Sequence, residues 1–190
     1  MPSCLPPTIL LRRAVLALLM AATPALAQDG AAPQRPLNSV EQTWLAEHNF
    51  ERDTMGLPPL RWNPSLARDA RVWAEDLAAR RAFHHSPDLL RIRQGENLWR
   101  GTAQRYEAWQ MIDGFLDERR HFRPGIFPDV SATGRWSDVG HYTQIIWPET
   151  QEVGCAIAAN ARDEVLVCRY WPAGNVLGYR LDPIQRLTRR

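Results

Sequence analysis

The sequence predicts an α+β layered sandwich. Helical patterns at residues 40–55, 64–82 and 102–121 come first, and strand patterns at 141–147, 152–158 and 164–170 follow them. The segment 141–147 alternates His141, Thr143, Ile145 and Trp147 on one side with Tyr142, Gln144 and Ile146 on the other. Apolar bulk on both faces of a strand requires layers above and below it. His141, near the start of that strand, then lies at the rim of the sheet, although a lone histidine is equally read as a hydrogen-bonded structural residue.

The chain opens like an export signal. Arg12 and Arg13 precede the apolar run from Ala14 to Ala22, and Ala25-Leu26-Ala27 is a small-x-small cleavage site, so residues 1–27 read as a signal peptide. Nine apolar residues are too few to cross a bilayer, and no later segment approaches the roughly 20 required, so no transmembrane segment is expected. Residues 28–37 hold two prolines and a glycine without periodicity and read as a flexible leader.

Of the 190 residues, those at 38–182 form the expected domain and 183–190 a C-terminal tail. Arg12 and Arg13 account for the whole formal net charge of +2, so the exported chain is neutral and gives no electrostatic signal for nucleic acid. All its non-histidine basic residues are arginines. Cys4 leaves with the signal, and Cys155 and Cys168 remain as an even pair in an exported chain, which favours a disulfide.

The elements follow in order. Ser39 with Gln42 three residues later is a capping-box pattern and Gly56 a stop signal for the first helix, whose inward stripe runs through Trp44, Leu45, His48, Arg52 and Met55. That stripe has few apolar members, and His48 and Asn49 are assigned structural roles. Asn63-Pro64 is an N-cap followed by proline in the first turn, and Leu66, Ala67, Ala70, Trp73, Ala74 and Leu77 give the second helix a broad apolar face ending near Ala82. Thr102 is read as the cap of a third helix, with Tyr106, Trp109, Ile112, Phe115 and Leu116 inward and Glu118 at the edge of that face. Residues 123–140 read as a long loop, of the kind that is functional or pinned. The short polar connection 159–163 suits a hairpin between the last two strands, in which Cys155 and Cys168 could face each other.

Three motifs converge on a family. Gly95-Glu96-Asn97-Leu98, Gly140-His141-Tyr142-Thr143-Gln144-Ile145-Ile146-Trp147 and the segment Val165 to Val176 with Cys168-Arg169-Tyr170-Trp171-Pro172-Ala173-Gly174-Asn175 resemble the signatures of the CAP superfamily. That superfamily comprises the cysteine-rich secretory, antigen 5 and pathogenesis-related 1 proteins, also called the SCP domain. The similarity covers roughly residues 41–180. It implies a three-layer α-β-α sandwich with a mainly antiparallel sheet and a cleft of two histidines and two glutamates. His85, Glu96, Glu118 and His141 match those four positions, with His84 the rival of His85 and Glu107 the rival of Glu118. Tyr142, Gln144 and Asn97 are expected to support the cleft.

Imidazoles are good zinc and copper ligands, and carboxylates either complete the shell or orient the rings. A divalent metal ion such as zinc is therefore the implied cofactor. Two function classes follow. One is a secreted or periplasmic binding module for a metal ion, a small apolar ligand or a protein partner; the other is a metal-assisted hydrolase with Glu96 or Glu118 as general base. The sequence has no Gly-x-Ser-x-Gly elbow, and binding is the favoured reading.

Overall fold

The computed structural model describes residue 1 and residues 35–182. The signal, most of the leader and the tail lie outside the described residues. The compact unit beginning at Gln34 is treated by itself.

The helices are α1 (Ser39–Thr54), α2 (Pro64–Arg80), α3 (Ala108–Leu116) and α4 (Gly140–Ile145). The strands are β1 (Arg61–Trp62), β2 (Gly95–Thr102), β3 (Gly125–Ile126), β4 (Glu152–Ala159), β5 (Asp163–Trp171) and β6 (Arg180–Leu181). The main sheet has the order β1-β4-β5-β2; β4 is antiparallel to β5 and β5 to β2, while the short β1 runs parallel to β4.

Side-chain alternation along β5 builds the three layers. Val165 and Val167 point to α2, where they pack with Ala70, Trp73, Ala74 and Leu77. Leu166, Cys168 and Tyr170 point the other way, into a core formed with Trp44 of α1, Ile112 and Phe115 of α3, and Tyr142 and Ile145 of α4. The architecture is thus the expected α-β-α sandwich. Fully burying a side chain such as Leu77 contributes about 1.5–3 kcal/mol. The start of α2 lies so close to β4 that a Cβ on Gly154 would sit 2.3 Å from the backbone nitrogen of Ala67, so only glycine fits there.

Several local expectations are corrected. The segment read as strand 141–147 is the helix α4 and the turn after it. Its β-branched and aromatic residues favour a strand locally. Helical spacing, however, buries Tyr142 and Ile145 against the sheet, and core packing overrides the propensity. The third helix does not start at Thr102: β2 runs through that residue, and the helix begins at Ala108 with Glu107 as N-cap. Tyr106 and Trp109 are consequently exposed rather than inward. The cap of α1 is Asn38 with Glu41, one residue earlier than the Ser39 and Gln42 pattern, and Glu41 is held in turn by Arg35. Leu45 and Met55 are only partly buried, whereas Glu41 and Glu51 join Trp44, His48 and Arg52 inside. The second helix ends at Arg80, where Arg81 adopts φ 56.

The segment 123–140 is pinned rather than free. A two-stranded β3-β6 sheet and a third apolar cluster of Phe127, Val130, Val139, Trp147 and Leu181 hold it down. Asn49 fills the structural role expected of it, its amide exchanging hydrogen bonds of 2.7 and 3.0 Å with the backbone of Leu60.

Cys155 and Cys168 stand directly opposite each other on β4 and β5 and are joined by a disulfide. Closing a loop of this size stabilises by about 3 kcal/mol in the chain-entropy model. We expect the Cys155→Ser, Cys168→Ser double variant to lose about that much in urea unfolding. Equal midpoints with and without the pair would show that the bridge does not restrict the unfolded chain.

Candidate functional site

A cavity of about 450 Å³ opens between the loop that follows α2, the start of β2 and the start of α4. His85, Glu96, Asn97, His141 and Gln144 line it, so five of the residues expected at the cleft come together there. His84 does not: it is exposed, lies edge-on to Trp73 and leaves His85 as the histidine that meets Glu96. Glu107 caps α3, its backbone N–H donating to Gln110 at 2.8 Å, and does not line the cavity.

The two imidazoles are held alike but by different scaffolds. Nδ1 of His85 lies 2.7 Å from Oε1 of Glu96, which also accepts from the backbone N–H of Ser86 at 3.0 Å. The Glu96 side chain is wholly buried. Burial opposes its charge, but His85, Arg169 and the Ser86 amide outweigh that and hold the carboxyl below the usual carboxylate range. Nδ1 of His141 lies 2.5 Å from Oε1 of Glu118, whose Oε2 accepts from the backbone N–H groups of His141 and Tyr142 at 2.9 and 3.1 Å. Those amides sit in the first turn of α4 and lack partners within the helix, so a carboxylate is the natural group to satisfy them. The His141 ring also stacks on Phe115, with centroids 5.0 Å apart.

A carboxylate can only accept, so in each neutral ring Nδ1 carries the proton and Nε2 keeps its lone pair. This is the arrangement in which a second carboxylate orients a metal-ligating histidine. Among the described residues no group of three or more His, Cys, Asp or Glu side chains gathers as a metal site. Glu96 and Glu118 are each occupied by an imidazole, so the groups that keep a lone pair for a ligand are the two Nε2 atoms.

The supporting residues divide. Asn97 donates to the carbonyl of His141 at 3.0 Å and to the hydroxyl of Tyr170 at 3.1 Å, joining the sheet to the start of α4. Gln144 accepts from the Gly174 N–H at 2.9 Å and donates to Thr150 at 3.2 Å. It packs so tightly on β2 that a Cβ on Gly95 would fall 2.0 Å from its Oε1. Tyr142 supports from behind: its hydroxyl donates to buried Glu51 at 2.9 Å, and its side chain does not line the cavity.

The family description "Cysteine-rich secretory protein family", CAP, matches residues 45–170. The chain belongs to the CAP family. Tobacco (Nicotiana tabacum) pathogenesis-related protein 1B is 32% identical over 139 residues, covering 73% of this chain and 78% of that protein. The human Golgi-associated plant pathogenesis-related protein 1 is 33% identical over 135 residues, covering 70% of this chain and 82% of its own length. Among solved structures, that of NaASP2 with Zn2+ superposes with a TM-score of 0.64 at 23% identity, covering 79% of this chain and 88% of the other, a likeness of fold.

In this CAP chain four further residues, none of them assigned a site role from sequence, shape the site. Arg169 faces Glu96, and Ser86 supplies one of the carboxylate's donors. Trp136, about half exposed, lines the cavity beside Asn175, which accepts from Thr143 at 2.7 Å and donates to Gly140 at 2.9 Å. Arg169 lies within the third family motif, but its partnership with Glu96 becomes readable only once β2 is known to be a strand.

Proposed function

We propose that this CAP-family protein is exported and acts outside the cytoplasm as a binding module. Its cleft takes up a divalent transition metal such as zinc through Nε2 of His85 and His141, with Glu96 and Glu118 orienting the rings. The observation that carries this reading is the pair of carboxylate-held imidazoles on the wall of one cavity. The apolar segment and small-x-small site before residue 28, with the Cys155–Cys168 disulfide, support export. The solved NaASP2 structure contains Zn2+, which makes zinc the first ion to try.

Hydrolysis is the weaker reading because the carboxylates are already engaged. Both oxygens of Glu118 accept from His141 or from backbone amides; Oε1 of Glu96 is shared between His85 and Ser86, and its Oε2, which accepts no hydrogen bond, is buried against the Arg169 guanidinium and out of reach of the cavity's contents. A general base needs a free oxygen within reach of the proton it takes.

Calorimetric titration with zinc tests the proposal. The wild type should bind, and His85→Ala with His141→Ala, which removes both ligands, should abolish binding. Binding should also weaken on acidification, since protons compete with the metal for the same nitrogens. Equal affinity in both proteins would exclude the site. A peptidase or esterase activity that copurifies and drops about a hundredfold in a folded Glu96→Gln or Glu118→Gln variant would establish the hydrolase instead.

A further inference from the structure

The two histidine–glutamate pairs differ in what stands behind the carboxylate. Behind Glu118 are backbone amides of α4. Behind Glu96 is a buried cation: Arg169 lies directly across the β2-β5 ladder from Glu96, and its NH2 is 3.1 Å from Oε2. The Arg169 side chain is 2% exposed and the Glu96 side chain 0%. The same guanidinium donates to the hydroxyl of Ser86 at 3.0 Å, to Oε1 of Gln94 at 3.4 Å and to the carbonyl of Leu90 at 3.4 Å. It therefore holds the carboxylate by a buried ion pair, in which Oε2 accepts no hydrogen bond, and the loop that carries His85 by hydrogen bonds. A planar guanidinium can reach several acceptors in fixed directions, which an ammonium cannot.

We infer that Arg169 is the positioning residue of the His85–Glu96 pair: by holding Oε2 of Glu96 on one side and Ser86 and Leu90 on the other, it presents Oε1 to Nδ1 of His85. It does not touch the cavity's contents. Glu96 and His85 lie on different segments, and Ser86 links them both to Arg169. Without the guanidinium the carboxylate loses the contact that fixes its second oxygen, and His85, about half exposed, is free to turn. His141 is untouched by this device, because Glu118 is held by amides.

The test reads the tautomers directly, by long-range proton–nitrogen correlation in the metal-free protein at a pH where both rings are neutral. In wild type both His85 and His141 should be in the Nδ1–H form. In Arg169→Met, His85 should become a mixture of tautomers while His141 stays as it was. Should loss of a buried cation prevent that variant from folding, Arg169→Lys keeps the charge without the fork and should show the same selective change. A His85 ring still wholly in the Nδ1–H form in a folded variant would overturn the inference, as would equal loss of order at His141. A second arm rests on the metal-binding reading: zinc affinity should fall tenfold to a hundredfold in the same variants. If the wild type fails to bind zinc, that reading falls, and the tautomer measurement still decides the role of Arg169.

Discussion

Replacing Arg52 with leucine should lower the unfolding free energy by about 4 kcal/mol, the cost of leaving several buried acceptors without a donor. Arg52 is 1% exposed. Its guanidinium donates to four carbonyls: Pro58 at 2.8 Å, Ile145 at 2.9 Å, Trp147 at 2.8 Å and Thr150 at 3.1 Å. Three of these belong to the end of α4 and the turn that follows, where the last carbonyls of a helix have no partner within it. Burial lowers the Arg52 pKa to about 10, which leaves it a cation at neutral pH. Arg52→Lys should lose about half as much, since an ammonium keeps the charge but reaches fewer of the carbonyls. Urea midpoints of both variants provide the measurement. A leucine variant within about 1 kcal/mol of wild type would mean that water replaces the guanidinium, since a single ordinary hydrogen bond is worth that much.

The second large effect should appear on acidification. His48 is completely buried, and burial pushes its pKa down to about 4. The nearby Arg52 charge lowers it further, the hydrogen bond to the Trp44 carbonyl works the other way, and the contact with Tyr170 suits the neutral ring. Nδ1 donates to the carbonyl of Trp44 at 2.7 Å, so Nε2 accepts from the Tyr170 hydroxyl at 2.8 Å, and the oxygen of that hydroxyl accepts from Asn97. A proton on Nε2 would leave the hydroxyl hydrogen of Tyr170 without an acceptor. In the unfolded chain an ordinary histidine protonates near 6.5. Between these values the unfolded state binds more protons than the folded one, so stability rises with pH there. The contribution is fully present above about 6.5 and gone below about 4, and amounts to roughly 3 kcal/mol. We expect a His48→Gln variant, which has no such proton to gain, to show a shallower loss of stability over that range. Parallel curves for variant and wild type would remove His48 from the account of acid sensitivity.

The elements legible in the sequence were those whose pattern and packing agree. The apolar stripe of α2 and its Asn63-Pro64 start specify one helix against one sheet face; β5 reads as a strand from its valines, leucine and aromatics, and β4 from Val153 and Ile157 with the short polar connection to β5. Where the two disagree, local reading failed. In α4, Tyr, Thr and Ile favour a strand, yet the helix delivers its first-turn amides to Glu118 and its apolar side chains to the core. In β2, Gly95, Glu96, Asn97 and Gly101 are poor strand formers, and the strand exists because it pairs with β5 along its whole length. The four site positions came from motif resemblance. Arg52 was legible on the inward stripe of α1, and Arg169 and Tyr170 within a family motif, but the groups they bind lie far away in the chain and could not be read locally.

Asn97 has a consequence for how this chain can change over time. Its amide nitrogen reaches the hydroxyl of Tyr170 in β5 and the carbonyl of His141 at the head of α4. The location of His141 is thus keyed to the sheet and to Glu118, and the apolar cluster that pins the segment 123–139 holds the residue before α4 as well. A length change in that segment that keeps Val139 packed in its cluster leaves both hydrogen-bonded anchors of His141 in place. Substitution at Asn97 removes one of these anchors, and the location of His141 then rests on Glu118 and on the packing of the segment before it.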